Sequence, residues 1–122
     1  MNFKMIRKSR LRKRSVFRKV YEEGRSAANF MIAIHLLPNP DHVHRVGFSA
    51  GKRLGNAVVR NRCKRRLREC WRLHQQEMPA GMDMIVVARR SMVNAKWEKI
   101  AAAFSDAFRR SSLVAEKSGW IL

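Results

Sequence analysis

A protein that hydrolyses a bond needs a positioned acid and base, or carboxylates clustered around metal ions. The nine acids here, Glu22, Glu23, Asp41, Glu69, Glu77, Asp83, Glu98, Asp106 and Glu116, are scattered along 122 residues. Only Glu22 and Glu23 are adjacent, and adjacent helical residues do not share a face. His42 and His44 stand two apart beside a turn and could act as an acid and a base, although loop histidines are more often plain exposed polar groups. Cys70 and His74 lie one helical turn apart, and only Cys63 shares their face, which falls short of a four-ligand zinc site. Buried small residues are the better account of both cysteines. On a single helix Cys63 and Cys70 would be about 10.5 Å apart along the axis, beyond the roughly 7 Å that a disulfide tolerates. These residues predict neither a catalytic centre nor a metal site on the protein.

The cations point to different chemistry. Lys and Arg number 27 against 9 acids, a net charge of +18 and a pI near 11.6. Self-repulsion of that size destabilises a compact chain unless a polyanion offsets it. A nucleic acid is therefore the first candidate partner and an anionic membrane the second. The informative charge pattern lies over Asn56–His74, where Asn56 is a good N-cap after Gly55. Val59, Cys63, Leu67, Cys70, Trp71 and His74 fall within about a third of the helix circumference and predict its buried arc. Arg62, Lys64, Arg65, Arg66, Arg68 and Arg72 take most of the remaining surface, Arg60 borders the apolar arc, and Asn61 lies on the polar face. Glu69 is the only acid in the stretch. A merely solvated helix mixes signs for i,i+4 pairing, so like charges crowded at a cost argue for a phosphate-rich partner. The lead-in Ser49–Gly55 lacks Walker spacing and has no Ser or Thr after Lys52, which excludes a nucleotide-hydrolysing loop. Lys52 and Arg53, just before the helix, can still hold a backbone phosphate.

One domain accounts for the length. It begins with a basic arm over about residues 1–14, which holds seven Lys and Arg and no acid. Ser15 is expected to cap a helix over Val16–Glu23 that Gly24 ends. Phe17 and Tyr21 lie one turn apart on it among Arg14, Arg18 and Lys19, a pattern that suits stacking on unpaired bases and suits core packing equally well. The apolar run Ala28–Leu37, the turn Pro38-Asn39-Pro40-Asp41 and Val43–Ser49 read as an antiparallel hairpin, with a short extra strand near Arg25–Ala27. Met82–Ala88 is a further strand. Asn94 is expected to cap a helix over about Ala95–Ser112 whose stripe is Trp97, Ile100, Ala101, Phe104, Ala107 and Phe108, and residues 114–122 to form a frayed tail. Two cysteines suit a reducing cytosol, no apolar run of signal-peptide length follows the basic N-terminus, and the longest uncharged stretch, Ser26–Pro40, falls short of the roughly 20 residues that span a bilayer.

The stretch Phe48–Glu69, FSAGKRLGNAVVRNRCKRRLRE, resembles the signature of the bacterial ribonuclease P protein subunit, with Arg60-Asn61-Arg62 as its Arg-Asn-Arg motif. The aromatic helix Phe17–Tyr21, Gly24, Arg45-Val46-Gly47 and Ile85–Arg89 fit as well, so the similarity covers about residues 10–113. The resemblance implies an α+β fold, a two-layer α/β sandwich in the order αβββαβα, ribosomal protein S5 domain 2-like with a left-handed βαβ crossover. That hand is opposite to the usual rule, and periodicity could not show it. The resemblance also implies a role in the bacterial cytoplasm, with the catalytic ribonuclease P RNA and precursor tRNA as partners and no membrane or obligate protein partner. The RNA and its Mg²⁺ would cut the phosphodiester that frees the mature 5′ end, and the protein would hold no cofactor of its own. By position, Phe17, Tyr21 and His35 match the leader-binding cleft, with His35 where an aromatic ring is expected. Lys52, Arg53, Asn56, Arg60, Asn61, Arg62, Lys64, Arg65, Arg66 and Arg68 match the motif that lies against the catalytic RNA. A free-standing ribonuclease built on the histidines and a basic ribosomal or DNA-binding protein are the alternatives.

Overall fold

The computed structural model describes residues 14–41, 43–78 and 81–121. The basic arm up to residue 13, and His42 of the histidine pair, lie outside the described residues. Four strands form one sheet: β1 (Arg25–Ala28), β2 (Ile32–Pro38), β3 (Arg45–Ser49) and β4 (Met82–Ala88). Helix α1 (Arg14–Glu23) precedes the sheet, α2 (Ala57–His74) joins β3 to β4, and α3 (Trp97–Lys117) follows it. Single 3₁₀ turns at Lys52–Leu54, Gln75–Glu77 and Arg90–Met92 link these elements.

The strand order is β1-β2-β4-β3. β2 and β3 are therefore not the hairpin that the Pro38–Asp41 turn suggested. β4 lies between them, antiparallel to β2 and parallel to β3. The cause is burial. In β4 six of seven residues are buried, whereas β2 alternates buried and half-buried. A strand apolar on both faces belongs in the centre of a sheet. The true hairpin is β1–β2, with Ala28 opposite Ala33. Its turn is built on Asn29, whose side-chain oxygen accepts from the N–H groups of Met31 and Ile32, each at 3.0 Å.

Alternation divides the sheet into two faces. Ile32, Ile34 and Leu36 of β2 and Met84 and Val86 of β4 point to the main core. There they meet Cys63, Leu67, Cys70 and Trp71 of α2 and Ile100, Phe104, Ala107 and Phe108 of α3. On the other face Ile85, with Leu37 and Val87 beside it, packs against Val20, Val16 and Phe17 of α1. Gly24 lets α1 dock this closely, since a Cβ there would stand 2.3 Å from the Leu36 carbonyl oxygen and 2.4 Å from that of Val20.

Three boundaries differ from the sequence reading. Ser15 lies inside α1 rather than capping it. Lys96, not Asn94, is the N-cap of α3, because residues 90–95 close short turns before the helix begins. Residues 114–121 are not a frayed tail: α3 continues to Lys117, Ala115 is buried, and Trp120 and Ile121 pack on the main core.

The chain crosses the end of β4 between β2 and β3 through one polar clamp. Asp83, 4% exposed, accepts from Arg45 Nε at 2.7 Å and Nη2 at 3.1 Å, and from Asn39 Nδ2 at 3.0 Å. Asn39 Nδ2 also donates to the Val43 carbonyl at 2.7 Å. Removing one partner of a buried ion pair leaves the other uncompensated. Asp83→Ala is therefore expected to cost about 3 kcal/mol or more in urea unfolding. Asp41→Ala, which loses only an exposed contact to the same arginine at 3.4 Å, is expected to cost under about 1 kcal/mol.

Candidate nucleic-acid interface

Asn56 caps α2 as expected, its Oδ1 accepting from the Val59 N–H at 3.0 Å. The side chain thus spends its oxygen on the helix. Cys63, Leu67, Cys70 and Trp71 are buried, which turns the cations outward. His74 closes the arc at its C-terminal end. Its Nδ1–H donates to the Cys70 carbonyl at 3.0 Å, and its Nε2 accepts from the Ser105 hydroxyl at 3.0 Å. This pairing, with ring contacts to Phe104 and Phe108, makes it a tie between α2 and α3. His44 likewise serves packing, edge-on to the Trp71 ring with centroids 6.1 Å apart.

The cations of α2 form two flanks. Arg60, Lys64 and Arg68 recur at i, i+4 and i+8 on the side next to β3, where the Arg68 guanidinium lies 5.9 Å from the centre of the Phe48 ring. Arg62 and Arg66 lie one turn apart on the side next to α3. Arg62 Nη2 reaches the Val93 carbonyl at 3.5 Å, and Arg66 Nη1 donates to the Ala95 carbonyl at 3.2 Å. Arg65 and Asn61 are exposed on the outer surface. Lys52 and Arg53, in the turn before α2, are exposed too. Among the described residues no acid pairs with Arg60, Arg62, Lys64, Arg65 or Arg66. Glu69 is held by Arg72 through two hydrogen bonds of 2.9 and 2.5 Å. These cations thus spread over both flanks and the outer surface of α2.

The aromatic residues of α1 lie over the opposite face of the sheet. Phe17 is half-buried against the Val20–Ile85 cluster, while Tyr21 is 43% exposed. Tyr21 meets the ring of His35, on β2, in a T-shaped contact with centroids 4.7 Å apart. Its phenol hydrogen-bonds the Ser49 side chain at the end of β3, and burial pushes its pKa up from 10.0. Tyr21 thus leans on β2 through the His35 ring and reaches toward Ser49 at the end of β3. Phe17, Tyr21 and His35 lie on the same side of the sheet, Tyr21 against His35 and Phe17 in the Val20–Ile85 cluster. The motif cations lie mainly along α2, which packs on the other face. The sequence reading missed Ser49, since a strand-end serine carries no distinguishing signal. It also took Trp97 as core. Trp97 shares the face of Ile100, but it is 36% exposed and lines a groove with Arg62, Arg65, Arg66 and Glu69. Among the described residues no group of three or more His, Cys, Asp or Glu could hold a metal ion, and no helix is long and apolar enough to cross a membrane.

The ribonuclease P family model matches residues 5–112. The chain belongs to the ribonuclease P protein family. It is 39% identical over 106 residues to the ribonuclease P protein component of Alkaliphilus oremlandii, which covers 87% of this chain and 93% of that relative. With the same component of Symbiobacterium thermophilum it is 40% identical over 106 residues, covering 86% of this chain and 92% of that one. Among solved structures, a Staphylococcus aureus RNase P protein mutant with defective mRNA degradation activity superposes with a TM-score of 0.81 at 30% identity, over 86% of this chain and 89% of that one. The RNase P protein from Thermotoga maritima gives a TM-score of 0.72 at 26% identity, over 80% and 92%. The α+β fold with its mixed four-stranded sheet is the one these proteins share. The chain is thus the protein subunit of ribonuclease P, part of the endoribonuclease that matures tRNA 5′ ends, and its family implies association with ribonuclease P RNA and precursor tRNA.

Burial lowers the pKa of His35 below its ordinary 6.5. Its contribution to stability is complete above the ordinary value and is lost as the pH falls through the lowered folded value. Between pH 7 and pH 5 the stability of His35→Phe is therefore expected to fall less than that of the wild type, measured by urea unfolding at each pH. Burial also raises the Cys63 thiol and pushes Cys70 up to about 12. Both are expected to resist alkylation at pH 8 in folded protein and to react once it is unfolded, because thiolate is the reactive form.

Proposed function

We propose that this subunit holds two RNAs at once. The outer surface of α2, with Lys52 and Arg53 before it, lies against the catalytic RNA, and the cleft between α1 and the sheet takes the 5′ leader of precursor tRNA. The RNA and its Mg²⁺ perform the hydrolysis, and the protein supplies no catalytic group. In this reading Lys52, Arg53, Arg60, Arg62, Lys64, Arg65, Arg66 and Arg68 meet phosphates, while Asn56 and Asn61 add hydrogen bonds. Tyr21 stacks on an unpaired leader base, with Phe17 as a partly buried support. His35 stands beside Tyr21 and offers a planar ring with hydrogen-bonding edges where an aromatic hydrocarbon would offer only its face.

The observation that carries this reading is the fixed Tyr21 ring. A tyrosine 43% exposed yet held between His35 and Ser49 is a platform built to present its open face. Such pre-organisation lowers the ordering cost of binding. We further read residues 1–122 as a single domain with the basic arm as a phosphate tether, and the β3–α2–β4 crossover as the left-handed one of a ribosomal protein S5 domain 2-like fold. The site of action is the bacterial cytoplasm, where precursor tRNA is processed.

Stacking on an aromatic ring is worth about 1–3 kcal/mol per base. Tyr21→Ala is therefore expected to weaken holoenzyme binding to precursor tRNA with a long leader by roughly 5- to 150-fold. Binding to mature tRNA and assembly with the catalytic RNA are expected to stay near wild type, in a chain that remains folded and melts only slightly lower for loss of the His35 contact. Phe17→Ala, which removes a half-buried ring, is expected to lower the melting temperature as well. Equal losses for leader-bearing and leaderless tRNA in folded Tyr21→Ala would remove the leader from this cleft.

A further inference from the structure

We propose that the groove between α2 and the first turn of α3 binds one unpaired nucleotide of the catalytic RNA, its base stacked on Trp97 and its phosphate held by Arg62, Arg65 and Arg66. The inference rests on the reading that α2 faces that RNA, and adds a residue of α3 to the interface. The groove has a volume of about 520 Å³ and is lined by Arg62, Arg65, Arg66, Glu69 and Trp97. It is open to solvent, as a site for one nucleotide of a longer RNA must be.

Trp97 is the anomaly that points to a ligand. It continues the stripe of Ile100 and Phe104, both 0% exposed, yet is itself 36% exposed. Its neighbours there are the arginine flank of α2 rather than the apolar residues beneath Ile100. A large π-face among cations is the combination that holds single-stranded nucleic acid, because every base has a face to stack and every nucleotide a phosphate to pair.

The arginines are oriented without being neutralised. The carbonyls of Val93 and Ala95 accept from Arg62 and Arg66 at 3.5 and 3.2 Å. Neutral carbonyls fix the side chains and leave the charges uncompensated. Glu69, the one acid of the groove, is already engaged by Arg72 at 2.9 and 2.5 Å. The site is therefore short of negative charge, which a phosphate supplies. The flat face of Trp97 favours a nucleotide over an acidic peptide.

The test uses the full chain and the catalytic RNA, with affinity and melting temperature measured for Trp97→Phe, Trp97→Leu and Arg65→Ala. Trp97→Leu keeps apolar bulk but loses the π-face, so it is expected to weaken binding roughly 5- to 150-fold. Trp97→Phe is expected to stay near wild type, and the melting temperatures of both to match it. Trp97→Leu binding as tightly as wild type while Arg65→Ala binds more weakly would overturn the groove and leave α2 as an RNA face. No effect from any of the three would overturn both readings. Equal losses in Phe and Leu would also overturn the stacking. Titration of the unmutated chain reads the same contact without any substitution. The RNA is expected to quench part of the tryptophan emission, and Trp97→Phe to lose that part. An emission unchanged by saturating RNA would contradict the proposal.

Discussion

The position of β4 is the constraint from which the other features follow. It is buried on both faces, pairs antiparallel with β2 and parallel with β3. A parallel neighbour cannot be reached by a tight turn, so a helix must carry the chain from one end of β3 back to the start of β4. That helix is α2. To cross the sheet it must bury one arc, and Cys63, Leu67, Cys70 and Trp71 provide it. Every cation in the sequence between them is then forced outward. The cationic surface of α2 is thus a by-product of the connection that the central strand demands. The same strand also places Ile85 on the second face, where α1 docks through Val20 and carries Tyr21 over the sheet.

Charge distribution follows a division of labour. Three acids serve the scaffold: Asp83 clamps Arg45, Asp106 takes Arg109, Arg110 and Asn29, and Glu69 takes Arg72. Among the described residues Arg60, Arg62, Arg65 and Arg66 receive no acid. Arg62 and Arg66 are tied to neutral carbonyls. A surface charge paired with acids would gain little from a phosphate, since the pairs would have to break first. Leaving these charges unmatched costs folded-state stability through self-repulsion and, in the proposed role, keeps them available to the RNA. Binding recovers that cost by mass action.

Much of this was legible in the sequence, and the reasons differ from element to element. The buried arc of α2 and its Asn56 cap were read correctly because helical periodicity and capping are local. The strands β2, β3 and β4 were found for the same reason. Their pairing was not, because the Pro38–Asp41 turn is equally consistent with a hairpin and with a crossing, and only the double-sided burial of β4 decides. Asn39 and Asp83 meet 44 positions apart, a contact no local pattern records. The end of α3 was set too early, since Ala115 and Trp120 are too widely spaced to show a stripe. In the candidate interface the Arg-Asn-Arg motif was plain, whereas the contacts of Tyr21 with Ser49 and of Arg66 with Ala95 depend on tertiary placement. Trp97 shows the limit most clearly, because its helical face is that of the core and only its place at the helix start puts it beside arginines.

The central claim is that the outward cations of α2 hold the catalytic RNA through its phosphates. Counterion release tests this directly, since each phosphate contact adds somewhat under one unit to the slope of log affinity against log salt. The measurement is that slope for the wild type and for Arg53→Ala, Lys64→Ala and Arg65→Ala, singly and combined, with melting temperature as the control for folding. The account predicts a steep wild-type slope that becomes shallower with each substitution, and additively in the triple variant. A slope unchanged in the folded triple variant, with affinity also unchanged, would contradict it.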